Sequence, residues 1–409
     1  MKYIIILPDG VADLPIEELG GKTPLEVAKH PNMDRIAREG IAGLAHTIPS
    51  GFKPGSDVGC MSVFGYDPRK YYTGRAPLEA AAQGIALKEG DVAFRCNTVF
   101  IKDGIMVDYS AGHIESADSH ALIRSVNEKL GKKYGVEFHA GVGYRHLMIV
   151  RSSKFEVQSK DLAKTECVPA HDISDKPVAD FATKGPAAEW LGKILCEAAG
   201  ILNEHPVNQR RIKEGKRPAN QLWFWGQGTA TAFPPFQKEY GLRAGCISAV
   251  DIVRGLGTLT GFDSIKVPGI TGYFDTNYKG KAEYALESLD DHDLVLIHIE
   301  PTDEAGHMGD VQKKIQAIED TDRLVVATVL EGLEKRKEPF AVMVVPDHPT
   351  STKLKTHISD PVPFAIFSHQ GLKDDIQAYN ETAVKQSDHR FEEGYQLMAF
   401  FLCQGKKQV

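Results

Sequence analysis

The chain has 409 residues, enough for about two or three domains or for one large α/β domain carrying an insertion. Hydrophobic residues make up 42% and charged residues 25%, which excludes a mainly disordered chain. The net charge of -7, from 48 Lys and Arg against 55 Asp and Glu, argues against a nucleic-acid partner, which calls for a basic surface.

No apolar run reaches the roughly 18 residues of a membrane span, so no membrane partner is expected. The apolar start, Met1 to Leu7, stops at Pro8-Asp9-Gly10. That is too short for a signal peptide, and a cytoplasmic protein is expected. The six cysteines are scattered without a C-x-x-C pair, and they read as reduced thiols. Nothing in the sequence sets an oligomeric state.

In chain order, Tyr3 to Leu7 reads as a buried strand ending in a Pro-Asp-Gly loop. Thr23, Pro24 and Glu26 then make a helix start with a capping box. Leu25, Ala28, Met33, Ile36 and Ala37 continue at helical spacing. Gly55-Ser56-Asp57 introduces a short helix over Val58 to Phe64.

The middle of the chain changes character. Thr98 to Val107 reads as a hairpin around Asp103-Gly104, Ser119 to Tyr134 as a helix and Tyr144 to Arg151 as a strand. After about residue 185 strands alternate with helices again. Candidate strands are Gln221 to Trp225, Cys246 to Val250, Asp293 to Ile299, Phe340 to Val345 and Phe364 to Phe367, and the clearest helix is Lys313 to Leu333. Such alternation predicts a mostly parallel sheet flanked by helices. The fold expected is α/β, with a core at 1–95 and 185–409 and a smaller inserted α+β cap at 96–184.

Two nucleotide motifs nearly match and fail. Gly20-Gly21-Lys22-Thr23 has Ile16 where a P-loop needs glycine, so a turn and a helix cap explain it. Gly255-Leu-Gly257 is followed by Thr260 where the dinucleotide fingerprint needs glycine, and reads as helix-end glycines.

Acidic and imidazole residues follow several of the predicted strands. Asp9 follows the first, Asp303 and His307 follow the strand at 293–299, Asp347-His348 follow 340–345, and His357 lies in the next loop. In a parallel sheet these loops share one edge, where ligands bind. Oxygen and imidazole donors without thiolate suit Mn²⁺, Zn²⁺ or Mg²⁺. Two such ions about 4 Å apart can clamp an in-line phosphoryl transfer. The plain alternative is that each Asp caps a helix and each His is solvated. Ser56 has the same ambiguity: it caps its helix, or it is a nucleophile at an anion-attracting helix start.

Taken in order, Pro8-Asp9-Gly10, Pro54-Gly55-Ser56-Asp57, the stretch Tyr71 to Glu79 with Arg75, Asp303 to His307, Asp347-His348 and His357 resemble the archaeal-type, cofactor-independent phosphoglycerate mutases of the alkaline phosphatase superfamily. The resemblance covers nearly the whole chain. It implies an alkaline-phosphatase-like core and two divalent ions, Mn²⁺ first, with no 2,3-bisphosphoglycerate requirement. One ion would sit on Asp303, His307 and His357, the other on Asp9, Ser56, Asp347 and His348. Ser56 would take the phosphoryl group of 3-phosphoglycerate and return it to the 2-oxygen of glycerate, under a cap that excludes water.

The chain departs from that family at Asp108-Tyr109-Ser110-Ala111-Gly112-His113, where the family pattern is Asp-Arg-Arg-Ala-Gly-Arg. None of the replacements restores the guanidinium fork. The stretch looks like that of a bacterial subgroup proposed as an alternative homoserine kinase. Homoserine phosphorylation and hydrolysis of a small phosphoester therefore stay open beside the mutase, as does a non-enzymatic acid-binding protein. Candidate contacts to a small phosphorylated hydroxy acid are Arg75, Asp108, His113, Arg145 and Arg254, each with a surface role as the alternative. His120, His139, His146 and His171 read as structural or solvated.

Overall fold

A computed structural model describes residues 1–152 and 159–404. The chain divides into two compact units, Met1–Tyr72 with Phe233–Val409, and Thr73–Ala232. The second unit is wider than the expected 96–184 at both ends, for a reason that lies in its strand pairing.

The strands in chain order begin with β1 (Lys2–Pro8) and β2 (Ile41–Ala45). The second unit contributes β3 (Val92–Lys102), β4 (Ile105–Asp108), β5 (Val136–His139), β6 (Arg145–Val150) and β7 (Gln221–Thr229). The first unit resumes with β8 (Ala244–Ile247), β9 (Asp263–Ser264), β10 (Leu294–Ile299) and β11 (Phe340–Val344). It closes with β12 (Thr350–Ser351), β13 (Thr356–His357), β14 (Val362–Ser368) and β15 (Arg390–Phe391).

The first unit is built on an eight-stranded sheet in the order β15-β2-β14-β11-β1-β10-β8-β9. β1 lies between β10 and β11 and is parallel to both. Its run Tyr-Ile-Ile-Ile-Leu-Pro is buried throughout, as a strand covered on both faces must be. The sheet is mostly parallel, as expected, with β14 the exception: it runs antiparallel to β11 and to β2. The β11–β14 connection holds only the small β12–β13 hairpin. Without a crossover helix the chain turns back on itself.

Thr23 forms the expected capping box with Glu26. The helix that follows is interrupted, giving Pro24–Val27 and then Pro31–Glu39. Pro31 has no N–H to continue the first helix and suits the first turn of the second. The predicted helix at 313–333 is present as Val311–Thr321 and Ala327–Arg336, joined by a π turn at Asp322–Val326. Asp322 there accepts the backbone N–H of Met33 at 2.7 Å.

In the second unit β4-β3-β6-β5 form an antiparallel sheet, extended by β7 on β3. β7 was expected as a strand of the core sheet. It instead pairs along β3 from Val92↔Thr229 to Val99↔Gln221, which draws the chain as far as Ala232 into this unit. The predicted hairpin turn is present, with Asp103 and Gly104 both at positive φ. One sheet face, with Phe94, Cys96 and Phe224, packs on Leu122, Ile123, Leu191 and Ile194 of two helices.

All six cysteines are free. Among the described residues no helix is long and apolar enough to cross a membrane.

Candidate active site

β1, β10 and β11 are parallel neighbours, so their C-terminal ends share an edge. Leu7 pairs with His298, and the Asp9 N–H donates to Ile299 O at 2.9 Å. That register sets Asp9, the residue after β1, beside the end of β10. The helix Pro301–Met308 starts at once after β10 and carries Asp303 and His307 one turn apart. Asp347-His348 follow β11, and the β12–β13 hairpin sets His357 opposite Thr350.

Ser56 is the first residue of the helix Ser56–Val63. The helix end is not capped by a side chain, so the Ser56 hydroxyl is not spent as a cap. Its Oγ lies 3.2 Å from His348 Nε2 instead. The helix comes this close because Gly59 lies against the Asp347 backbone, where a Cβ would collide with the carbonyl oxygen. A structural account of Ser56 as a cap therefore fails.

The ligand atoms converge. Asp9, Asp347 and His348 offer atoms within 4.8 Å of one another, as do Asp303, His348 and His357. His348 Nε2 is 3.2 Å from Asp347 Oδ2 and 3.6 Å from Asp9 Oδ1. His307 Nε2 and His357 Nε2 face each other at 2.8 Å, and lie 3.3 Å and 3.4 Å from the Asp303 oxygens. Two imidazole nitrogens each about 2.0–2.1 Å from a shared tetrahedral cation would lie about 3.3 Å apart, within about half an ångström of what is seen. Thr350 Oγ1 donates to Asp303 Oδ1 at 2.5 Å and lies 3.2 Å from His348 Nδ1, tying the two groups together.

The electrostatics fit positive charge. Asp9 and Asp347 are fully buried and Asp303 nearly so. Asp9 Oδ1 is buried without a hydrogen-bond partner. Burial, with the Asp347, Glu300 and Asp303 carboxylates around it, pushes Asp9 well above the usual carboxylate range. Burial also raises Asp303, but hydrogen bonds from His307 and His357 outweigh it and hold this carboxyl well below its ordinary value. The same pairing raises His307 to about 9. Several buried carboxylates at one point are costly unless a cation compensates them. The donor set is oxygen and imidazole nitrogen, which suits hard or borderline divalent ions.

Beyond the expected residues, the sheet edge adds His298 and Glu300. His298 Nε2 contacts Asp9 Oδ2 at 2.8 Å, and its Nδ1 lies 3.1 Å from Ser248 Oγ. Burial first, then Lys281, lower His298 to about 3, so the ring is neutral, held between Asp9 and Ser248. A histidine that orients a ligand carboxylate in this way fixes its geometry. Both were legible only as the end of an apolar strand; a histidine and a glutamate just before the Pro-Thr-Asp turn were the available signal.

The expected substrate contacts separate. Arg75 and Arg145 both lie in the second unit, near the buried Arg95. Asp108 is occupied locally: it accepts from Ser110, Gly112 and Arg217. His113 sits in the same turn, exposed and at positive φ. Arg254 lies on the helix Asp251–Thr260, 3.3 Å from Asp251.

Comparison with known proteins agrees on a fold and then on a family. The PH0037 protein from Pyrococcus horikoshii is similar at a TM-score of 0.82 and 29% identity, over 100% of this chain and 98% of that one. The cofactor-independent phosphoglycerate mutase from Thermoplasma acidophilum is similar at 0.67 and 29%, over 99% and 100%. The family model for 2,3-bisphosphoglycerate-independent phosphoglycerate mutase matches residues 37–208. An enzyme of that name from Methanothrix thermoacetophila is 48% identical over 98% of this chain and 100% of its own length. The chain belongs to the 2,3-bisphosphoglycerate-independent phosphoglycerate mutase family.

Proposed function

We propose that the protein interconverts 3-phosphoglycerate and 2-phosphoglycerate through a phosphoserine at Ser56. The observation that carries this reading is the Ser56 hydroxyl, 3.2 Å from His348 and not used as a helix cap, beside the buried Asp9–Asp347–His348 group. Asp303, His307 and His357 would hold one divalent ion and Asp9, Ser56, Asp347 and His348 the other, with Mn²⁺ the ion we expect. Bound ions would supply the positive charge that a transferring phosphoryl group needs.

The chain's own residues do the rest. Ser56 Oγ attacks phosphorus, the bond to the 3-oxygen breaks, and glycerate is left beside a phosphoserine. The glycerate 2-oxygen then attacks the same phosphorus and Ser56 is released. The start of the helix Ser56–Val63 favours the anionic group at each stage. His298 keeps Asp9 in place from behind. Homoserine phosphorylation draws no support from the relatives, which are named as mutases. The six free thiols suit a cytoplasmic setting.

Purified protein loaded with Mn²⁺ and given no 2,3-bisphosphoglycerate should turn 3-phosphoglycerate into 2-phosphoglycerate. Ser56→Ala should lower that rate by about 10⁴-fold or more. A Ser56→Ala enzyme with the wild-type rate would remove the phosphoserine route.

A further inference from the structure

The two groups of ligands meet at Thr350, the first residue of β12, which is fully buried. Its Oγ1 is 2.5 Å from Asp303 Oδ1 and 3.2 Å from His348 Nδ1. Asp303 stands with His307 and His357, and His348 with Asp9 and Asp347. A hydroxyl has one proton to give and two lone pairs to accept with. An ionised carboxylate can only accept, so the proton goes to Asp303. Toward His348 the oxygen is then an acceptor. That bond calls for the ring proton on Nδ1, and it leaves Nε2 bare on the side of Asp9, Asp347 and Ser56.

Thr350 is itself held on several sides. Its N–H donates to Ala12 O at 3.1 Å, and its carbonyl oxygen accepts from Lys314 Nζ at 2.5 Å. A Cβ at Gly306 would lie 2.6 Å from Thr350 Cγ2. At Gly10, which has φ +59, a Cβ would lie 2.7 Å from Asp303 Oδ1 and would also strike Thr350 Oγ1. The Thr350 methyl is therefore the packed end of the side chain, and the hydroxyl the bonded end.

Lys314 reaches this point from the helix Val311–Thr321 and is fully buried. Its other two bonds go to Ala12 O and Asp13 Oδ2, both at 3.1 Å. An ammonium has three donors, and all three are spent here. Asp13 also accepts from the Thr352 N–H at 3.0 Å, and its own N–H donates to Glu381 Oε1 at 3.0 Å. One buried ion pair thus fastens the loop that carries Asp9 to the strand after His348. Such a pair contributes little net stability once its desolvation is counted. What it does here is fix position.

We propose, resting on the two-ion reading of the site, that Thr350, seated by Lys314, is the positioning residue that couples the two ion groups. Its hydroxyl donates to Asp303 in one group and accepts from His348 Nδ1 in the other. One side chain then sets the two ligand sets relative to each other and turns His348 Nε2 toward its ion. Partners behind a metal ligand govern affinity by about tenfold to hundredfold.

The test strips the full chain of metal with a chelator and titrates it calorimetrically with MnCl₂. Wild type should take two ions. Thr350→Ser keeps the hydroxyl and loses the methyl, whereas Thr350→Ala loses both. Thr350→Ser should melt lower than wild type yet bind both ions within about threefold of it, while Thr350→Ala should bind both about tenfold to hundredfold more weakly. Equal Mn²⁺ affinities in the two variants overturn the proposal, because packing alone would then account for Thr350. Weakening of one ion alone overturns the coupling. A wild type that takes fewer than two ions overturns the proposal together with the two-ion reading. A wild type that takes two ions without mutase turnover fails the mutase reading only, and the difference between Ser and Ala still decides. Lys314 stays in place throughout, because its loss would strand the buried Asp13 carboxylate.

Discussion

The two units handle buried charge in opposite ways. The first collects carboxylates at the ends of parallel strands, where Asp9, Asp303 and Asp347 crowd together with Glu300 beside them. The second collects guanidiniums on the face of an antiparallel sheet, where Arg95 is buried beside Arg75 and Arg145. In the first group Asp9 Oδ1 is buried without a hydrogen-bond partner. The second has Glu79 under Arg95. One region is therefore built to be completed by cations from outside. The other is already partly neutralised by Glu79.

Removing the internal counter-charge should break the contrast most sharply. Glu79→Gln leaves Arg95 buried without its carboxylate, which costs about 3 kcal/mol. Urea unfolding should show it, and a loss below about 0.5 kcal/mol would mean that Glu79 does not compensate Arg95. The first unit should respond with the opposite sign. Asp9→Asn in metal-free protein keeps an acceptor for His298 and removes a like charge from Asp347, so it should stabilise by about 1–2 kcal/mol while the mutase rate collapses. A less stable metal-free Asp9→Asn protein would show that the carboxylates are balanced without ions.

The smallest effect lies away from both clusters and calibrates them. His30 is nearly buried, with Nε2 2.6 Å from Leu25 O and Nδ1 3.3 Å from Asp34. Burial lowers its pKa, but the bond and charge of Asp34 win and raise it above 6.5. A histidine raised on folding stabilises fully below its unfolded value and less as pH climbs through its folded value. The melting-temperature gap between wild type and His30→Gln should therefore be widest near pH 5.5 and narrow by pH 8.5. A gap that widens with pH would reverse the assignment.

Much of the first unit was legible in the sequence because strand ends announce themselves. Asp9, Asp303 and Asp347-His348 each stand just past an apolar run, and the parallel-sheet rule sends such positions to one edge. His298 and Glu300 were hidden by the same rule, since a residue at the end of an apolar run reads as core. Arg95 was hidden in a strand whose neighbours alternate, with nothing to show that its face would be half-polar. The place of β7 and the direction of β14 are not legible in the sequence, because local composition reports that a strand exists, not which strand it meets.

The order of residues along the chain determined the kinds of chemistry present: oxygen and imidazole donors without thiolate, a serine at a helix start, and an interruption between two α/β segments. Periodicity and capping are local, acting over a few residues, so they can be read along a line. Only the folded chain decided that His307 and His357 face each other at 2.8 Å, that Ser56 meets His348, and that Arg75 runs beside Arg95. Those contacts join residues distant in sequence, and their distances follow from strand register, a close helix approach at Gly59 and a bulge at Gly226.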